Sequence, residues 1–341
     1  PSWCCPSEDL SKVREGSSLM ETHLIVDGMN LLYQAHYGSP PLTTSQGHRS
    51  GALYGFMQIL RRIIIAENPD FVAVCWDGEP VYRRKIFSEY KQQRDHSDMD
   101  MQEFNAQATA AMEFIRALGV PQARHLELEA DDLIAAYAMA ISDLYPKECH
   151  VLIASADKDF WQLVSKSVSC LNPRTDSRTT LKNFKGRSGF NTVSDYLEYK
   201  VIVGDVSDNI PGLLKGVGDK RARAMVEEQN YAKNWSSELL DAKTIGLQYD
   251  LIDLPRMMYK IKYEVISIMS GMLVVDFVPS KVFRDACSRW EFYSMNHDGW
   301  LLPFKTLYDK AKERTCFRTT KGQRGITHFK KALLRAIKNH A

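Results

Sequence analysis

Leu24-Ile25-Val26-Asp27 is a short apolar run that ends in a carboxylate, and the chain repeats the arrangement. Phe71-Val72-Ala73-Val74-Cys75-Trp76 leads to Asp77, and Val151-Leu152-Ile153-Ala154 leads to Asp157 and Asp159. Continuous apolar runs this short, bounded by polar residues, read as buried strands. The spacing predicts strands at 23–27, 71–76, 149–154 and 167–172, and helices at 51–66, 103–118, 130–143 and 193–203. Strands alternating with helices predict an α/β fold with a mainly parallel central sheet flanked by helices. Ligands in such folds bind beyond the carboxyl ends of the strands. Asp27, Asp77 and Asp157 all fall at those ends, a position that scattered acids would not choose repeatedly.

Six further acids extend the pattern. Glu129, Asp131 and Asp132 open an Ala-rich helix, Asp159 follows Asp157, and Asp205 and Asp208 open a Gly-rich segment. Taken singly, each acid is more often a helix cap, a turn former or half of a surface pair. Gathered at one point, they would repel and take up protons unless cations neutralised them. Hard divalent ions with oxygen ligands are the economical answer, and such ions suit phosphate-ester hydrolysis. The residues thus point to a metal-dependent nuclease.

Composition agrees with that class. The chain has 341 residues, 44% hydrophobic and 25% charged, which suits one large domain with an appendage, or two domains. No run approaches the roughly 18 apolar residues that a membrane span needs. The net charge of +2 conceals an uneven distribution, because residues 301–341 carry eleven Lys or Arg against Asp309 and Glu313. Acids at one focus with bases elsewhere suit a polyanion gripped by its flanks. The seven cysteines show neither paired metal spacing nor an even number, so a reduced, cytoplasmic setting is expected. Residues 1–19 lack the basic flank and apolar core of a secretory signal. Met20 directly precedes the first strand, so 1–19 are expected to be a disordered or non-native leader.

Two segments depart from the strand-and-helix rhythm. Residues 78–102 interleave bases with aromatics, including Tyr82, Arg83, Arg84, Lys85, Tyr90, Lys91 and Arg94. That composition suits gripping a nucleic-acid backbone while stacking on bases. From Gly204 the chain runs through Asp205, Asp208 and Pro211-Gly212 to Lys215-Gly216-Val217-Gly218-Asp219-Lys220-Arg221. A tight turn at Gly216–Gly218, followed by a helix beginning near Asp219, would aim backbone N–H groups and cations at a phosphate. Residues 236–284 read as mostly helical, and no chemical motif stands out from 285 onward.

These pieces together resemble the 5′-nuclease superfamily, in particular bacteriophage flap endonucleases and the 5′–3′ exonuclease domain of bacterial DNA polymerase I. The resemblance rests on Val26-Asp27-Gly28; Asp77 with Tyr82-Arg83 and Tyr90-Lys91-x-x-Arg94; Glu129-Ala130-Asp131-Asp132; Ala156-Asp157-Lys158-Asp159; Gly204-Asp205-x-x-Asp208-Asn209-Ile210-Pro211-Gly212; and Lys215-Gly216-Val217-Gly218. It covers roughly residues 22–280 and includes no polymerase domain. It implies a catalytic core at 20–203 with a helical arch at 78–102, and a helix–three-turn–helix DNA clamp with its helical region at 204–284. A basic extension of unassigned role follows at 285–341. The implied metal ligands are Asp27, Asp77, Glu129, Asp131, Asp132, Asp157, Asp159, Asp205 and Asp208, holding two Mg²⁺ or Mn²⁺ ions. Lys91 and Arg94 are the implied catalytic cations. DNA contacts are implied for Arg83, Tyr90, Lys91, Arg94, Lys215, Gly216, Gly218, Lys220 and Arg221, with a potassium ion at the clamp. One departure is visible: the stretch from Pro211-Gly212 to Lys215-Gly216 is one residue longer than the family spacing.

The implied activity is hydrolysis of DNA phosphodiesters at a flap or nick with a free 5′ end, by a monomer, leaving 5′-phosphate and 3′-hydroxyl. RNA–DNA primer junctions are a further implied substrate, and replication or repair the setting. Two alternatives share parts of the pattern: a PIN-like ribonuclease, and a junction-binding protein without catalysis. The basic aromatic segment and the glycine turn favour the DNA enzyme over the first, and the complete acid set favours it over the second.

Overall fold

The structure, a computed structural model, describes residues 20–94, 99–228, 242–257 and 280–313. Residues 1–19, 95–98, 229–241, 258–279 and 314–341 lie outside the described residues, and with them the expected leader, part of the expected arch and helical region, and half of the expected extension at 285–341.

Six strands form one sheet in the order β3-β2-β1-β4-β5-β6. They are β1 (Glu21–Asp27), β2 (Phe71–Trp76), β3 (Gln122–Arg124), β4 (Cys149–Ala154), β5 (Val168–Asn172) and β6 (Ser177–Thr179). β1 to β5 pair in parallel, while β6 returns antiparallel along β5 as a short edge strand. The chain winds outward from β1 to β3, then crosses back so that β4 lies against β1 on its other side. The carboxyl ends of β1 and β4 therefore flank the point where the winding reverses, which is where open α/β sheets place their ligand crevice.

Alternation along the strands explains why both faces are covered. Ile25, Ala73, Cys75, Val151 and Ile153 enter one core, while Leu24, Val26, Val72, Val74, Trp76 and Leu152 enter the other. Successive side chains of a strand point to opposite faces, so continuous apolar runs fill both layers. The first core is closed by α5 (Ala130–Leu144), α7 (Val193–Val203) and α8 (Asp219–Glu227). The second is closed by α1 (Gly28–Gly38), α2 (Gly51–Glu67) and α4 (Met101–Ala117). Shorter helices are α3 (Val81–Ile86), α6 (Phe184–Ser188) and α10 (Leu254–Met257), and α9 (Ala242–Ile252) precedes α10.

Two C-terminal helices, α11 (Ser280–Arg289) and α12 (Asp298–Glu313), are built into the second core. Phe283, Phe292, Trp300 and Phe304 are buried there, and Phe283 packs on Phe114 of α4. The expected boundary at 285 thus falls inside a helix whose apolar face belongs to the main body. Among the described residues, no helix is long and apolar enough to cross a membrane. Cys75, Cys170 and Cys287 are free thiols, all buried.

Candidate active site

The acids converge because the fold ends several elements at one place. Asp27 closes β1 and caps α1, accepting a hydrogen bond from the Asn30 N–H at 3.0 Å and another from Ser155 Oγ at 3.0 Å. Asp77 follows β2 and accepts from the Ala130 N–H at 2.7 Å, which ties the end of β2 to the start of α5. Glu129 is the N-cap of α5, and its N–H donates to Asp132 at 3.1 Å. Asp157 accepts from the Asp159 N–H at 2.8 Å, and Asp205 accepts from the Ser207 N–H at 2.8 Å. Gly204 makes the turn into that last acid. Its φ is +72°, and a Cβ there would lie 2.4 Å from the Ile210 carbonyl oxygen, so no side chain fits.

Charge divides the nine acids into two sets. Glu129, Asp132, Asp159, Asp205 and Asp208 are held by cations. Arg83 bonds Glu129 at 2.6 Å and Asp132 at 2.9 Å, and Lys91 bonds Glu129 and lies 3.6 Å from Asp208. Arg94 bonds Asp208 at 2.6 Å, and Lys200 joins Asp159 at 2.8 Å to Asp205 at 2.6 Å. Burial alone would raise the Glu129 carboxyl, but Arg83 and Lys91 outweigh it and hold it below the usual range. Asp205 is lowered as well, its partial burial being overcome by Lys200 and Ser207.

Asp27, Asp77, Asp131 and Asp157 form the other set, and none makes an ion pair among the described residues. Burial, with repulsion from Asp77 and Asp157, pushes Asp27 up to about 7. Asp131 is raised well above the ordinary carboxylate range by desolvation and by Asp157 and Asp27. Desolvation also raises Asp77 and Asp157, with Glu129 and Asp208 respectively adding repulsion. Asp159 is pushed up to about 6 by burial and by Asp157, against the pull of Lys200. Asp157 therefore feels both sets and sits between them. Four carboxylates that repel one another, with only oxygen donors, fit a hard divalent cation.

Lys200 was not evident in the sequence. Its only signal was a cation in the last turn of a helix feeding an acidic loop, a position that ordinarily serves the helix dipole. Ser155 and Asn30 were equally silent. Asn30 Oδ1 accepts from the Ala156 N–H at 3.0 Å, holding the β4 exit against α1.

The segment expected to form the arch is folded down onto the acids through residue 94. Lys91, with φ +58°, donates its N–H to the Asp208 carbonyl at 3.0 Å. Lys91 and Arg94 thus lie beside the cluster, paired with Glu129 and Asp208. Arg83 and Tyr90, expected at DNA, are turned inward. Arg83 is 3% exposed between Glu129 and Asp132, and Tyr90 is 2% exposed with its hydroxyl donating to Asp208 at 2.9 Å. Their visible work is to fasten the segment to α5.

The glycine turn lies apart from the acids. The residue added before Lys215 is accommodated because Leu213 and Leu214 are both buried, anchoring the loop in two apolar clusters. Gly216 has φ +72°, and α8 starts at Asp219 as the sequence predicts. Lys215, Lys220 and Arg221 are exposed. Among the described residues, the one trio of metal-ligand types with atoms within 4.8 Å of one another is Glu21, His23 and Cys149, at the opposite ends of β1 and β4, and Cys149 there is disulfide-bonded. There His23 Nδ1 is already bonded to the Tyr137 hydroxyl at 2.8 Å.

Comparison with known proteins agrees with this geometry. Residues 22–189 match the model of the 5′–3′ exonuclease N-terminal, resolvase-like domain. A 5′–3′ exonuclease of Aquifex aeolicus is 34% identical over 247 residues, 69% of this chain and 82% of that protein. DNA polymerase I of Caldicellulosiruptor bescii is 33% identical over 214 residues, 60% of this chain but only 24% of the polymerase. Among solved structures, the T5 5′-exonuclease with bound zinc has a TM-score of 0.53 at 23% identity, covering 79% of this chain and 99% of that one. The bacteriophage T5 flap endonuclease with DNA and metal ions has a TM-score of 0.53 at 21% identity, covering 86% and 100%. With its acids at the strand ends and this sequence kinship, the chain belongs to the 5′–3′ exonuclease family of the 5′-nuclease superfamily.

Proposed function

We propose that this protein is a divalent-metal-dependent, structure-specific 5′-nuclease that cuts DNA at flaps or nicks carrying a free 5′ end. The observation that carries the reading is the quartet Asp27, Asp77, Asp131 and Asp157, which makes no ion pair among the described residues and whose proton affinity burial raises despite the nearby Lys91. Those four residues would hold one Mg²⁺ or Mn²⁺. Asp159, Asp205 and Asp208 would hold a second, with Asp157 between. The ions, when bound, supply Lewis acidity at the phosphate and a water that ionises near neutral pH.

The chain's own residues do the rest. Arg83 and Tyr90 brace Glu129, so the loop bearing Lys91 and Arg94 stays beside the acids. A phosphate entering the crevice would compete with Glu129 and Asp208 for the Lys91 ammonium and the Arg94 guanidinium. Once turned to the phosphate, those cations stabilise the negative charge that builds on its oxygens. Ser155 and the Asn30 N–H keep Asp27 aimed into the crevice. The exposed Lys215, Lys220 and Arg221 would grip duplex backbone, and the turn at Gly216–Gly218 would take the potassium ion that the family resemblance implies. The protein would act as a monomer in a cytoplasmic compartment, although the disulfide at Cys149 departs from the fully reduced state that the cysteine pattern suggests.

Cleavage of 5′-flap DNA, matched single-stranded DNA and matched RNA, each with Mg²⁺ or with EDTA, tests the proposal. Metal-dependent release of the flap with a 5′-phosphate on the product is the expected result. Preference for RNA would indicate a ribonuclease, and binding without cleavage a junction-binding scaffold.

A further inference from the structure

We infer that the polar pocket between the β5–β6 hairpin and Lys158 is a phosphate subsite for the duplex strand running from the acids toward α8. The pocket has a volume of about 390 Å³ and is lined by Ser155, Lys158, Trp161, Asn172, Ser177 and Arg187, among others. It adjoins the metal cluster directly, because Ser155 is the residue that hydrogen-bonds Asp27.

Charge is the reason to assign it an external anion. The cations packed against the acid cluster are already neutralised: Arg83, Lys91, Arg94 and Lys200 each pair with carboxylates. At the larger cavity beside α1 and α2, Arg62 is paired with Asp176 and donates to the Pro173 carbonyl at 2.6 Å, while Arg174, also in its lining, has no side-chain hydrogen bond among the described residues to hold it in place. Lys158 and Arg187 differ. Both are exposed, and neither makes an ion pair among the described residues. Arg187 is nevertheless held in place, since Nη2 donates to Ser177 Oγ at 2.7 Å, and that hydroxyl lies 2.8 Å from Thr175 Oγ1. Lys158 rests over the Trp161 ring, 5.6 Å from its centroid. Two cations held by neutral neighbours, facing a cavity with hydroxyl groups, have the donors a phosphodiester needs.

Position selects which phosphate. On one side of the pocket is Asp157, at the exit of β4. On the other, α6 carries Arg187 toward α8: a Cβ on Gly189 would lie 3.1 Å from the Arg223 guanidinium. Arg223 covers the rings of Phe190 and Tyr199 at 4.7 and 4.8 Å, which fixes α8 against α7 and the loop that leaves α6. Lys220 and Arg221 of the same α8 are exposed. The pocket is thus a step between the site of cutting and the clamp, and the strand that joins those two points is duplex.

The inference rests on the nuclease reading above, and the test separates the two. Binding is measured as a function of KCl on three probes: a 5′-flap duplex, the same duplex without a flap, and the flap strand alone, with Ca²⁺ replacing Mg²⁺. Wild-type protein that binds none of them removes the nuclease reading itself. With binding intact, Arg187→Ala should weaken both duplex probes by about tenfold at moderate salt. It should also lower the log–log salt slope by about 1, leaving the single strand unaffected. Arg187→Lys should recover part of the loss. Lys182→Ala removes equal charge from the neighbouring surface outside the pocket and should leave the slope unchanged. An unaltered slope in a folded Arg187→Ala protein would overturn the subsite. So would an equal effect from Lys182→Ala, or a loss confined to the single strand.

Discussion

Lys91 and Arg94 meet carboxylates in this structure, and that sets what their removal should do. The Lys91 ammonium bonds Glu129 and lies near Asp208, and its own proton is held more tightly than usual by those acids despite the burial that opposes it. On the proposed function, its charge would be available to a phosphate only by exchange, so it would contribute little to ground-state binding and most as charge develops. Lys91→Ala should slow single-turnover cleavage of a flap by about a hundredfold while changing the dissociation constant little. A loss confined to binding would make Lys91 an ordinary backbone grip. Asp157→Asn should be more severe, because Asp157 faces both sets of acids. Rate loss by about a thousandfold with DNA binding retained is expected. Near-normal turnover at saturating Mg²⁺ would remove Asp157 from the metal site.

Elements show how far the sequence could be read. β2, β4, α5 and α7 were legible because each has an apolar run or helical period long enough to announce itself, with Thr192 capping α7. β3 and β6 are three residues each and owe their state to the neighbours they pair with. α1 is hidden because Asp27 is both its N-cap and a candidate ligand, and the sequence alone displays only the second role. The acids were legible as a set because their positions follow from strand ends. The cations that neutralise some of them were not, since Lys200 and Arg83 meet their partners only through the fold. α8 is the element whose role is easiest to test. Replacing Lys220 and Arg221 with Ala should weaken duplex binding and lower the salt slope by about 1 per lost contact. A single strand should bind as before. An unchanged slope on duplex would take the clamp away from α8.

At the scale of the whole molecule, the C-terminal helices and the acid cluster make opposite contributions. Trp300 is buried, stacks on Phe283 at 5.1 Å and lies under the Arg61 guanidinium at 5.7 Å. Trp300→Ala should destabilise the protein by about 3–5 kcal/mol in urea unfolding, as a core truncation does. A cost below about 1 kcal/mol would make α11 and α12 an appendage. The acids pull the other way. Asp27 has an ordinary value of 3.8 and is pushed up to about 7 in the folded protein, so folding favours its protonated form. Its contribution is complete below the unfolded value and is lost as pH rises through the folded one. Asp159, pushed up to about 6, acts in the same sense over a narrower window. In EDTA, this cluster should therefore cost stability progressively between about pH 4 and pH 7, and Asp27→Asn should remove part of that slope. A divalent ion held by these carboxylates would reverse the sign by binding the charged form. At a hundred times its dissociation constant, Mg²⁺ should add about 2.7 kcal/mol at neutral pH, read as a melting temperature higher by several degrees. The gain should shrink toward about pH 5, where protons occupy the same oxygens. Equal Mg²⁺ stabilisation at both pH values, or none at neutral pH, would show that these carboxylates are not where the ion binds.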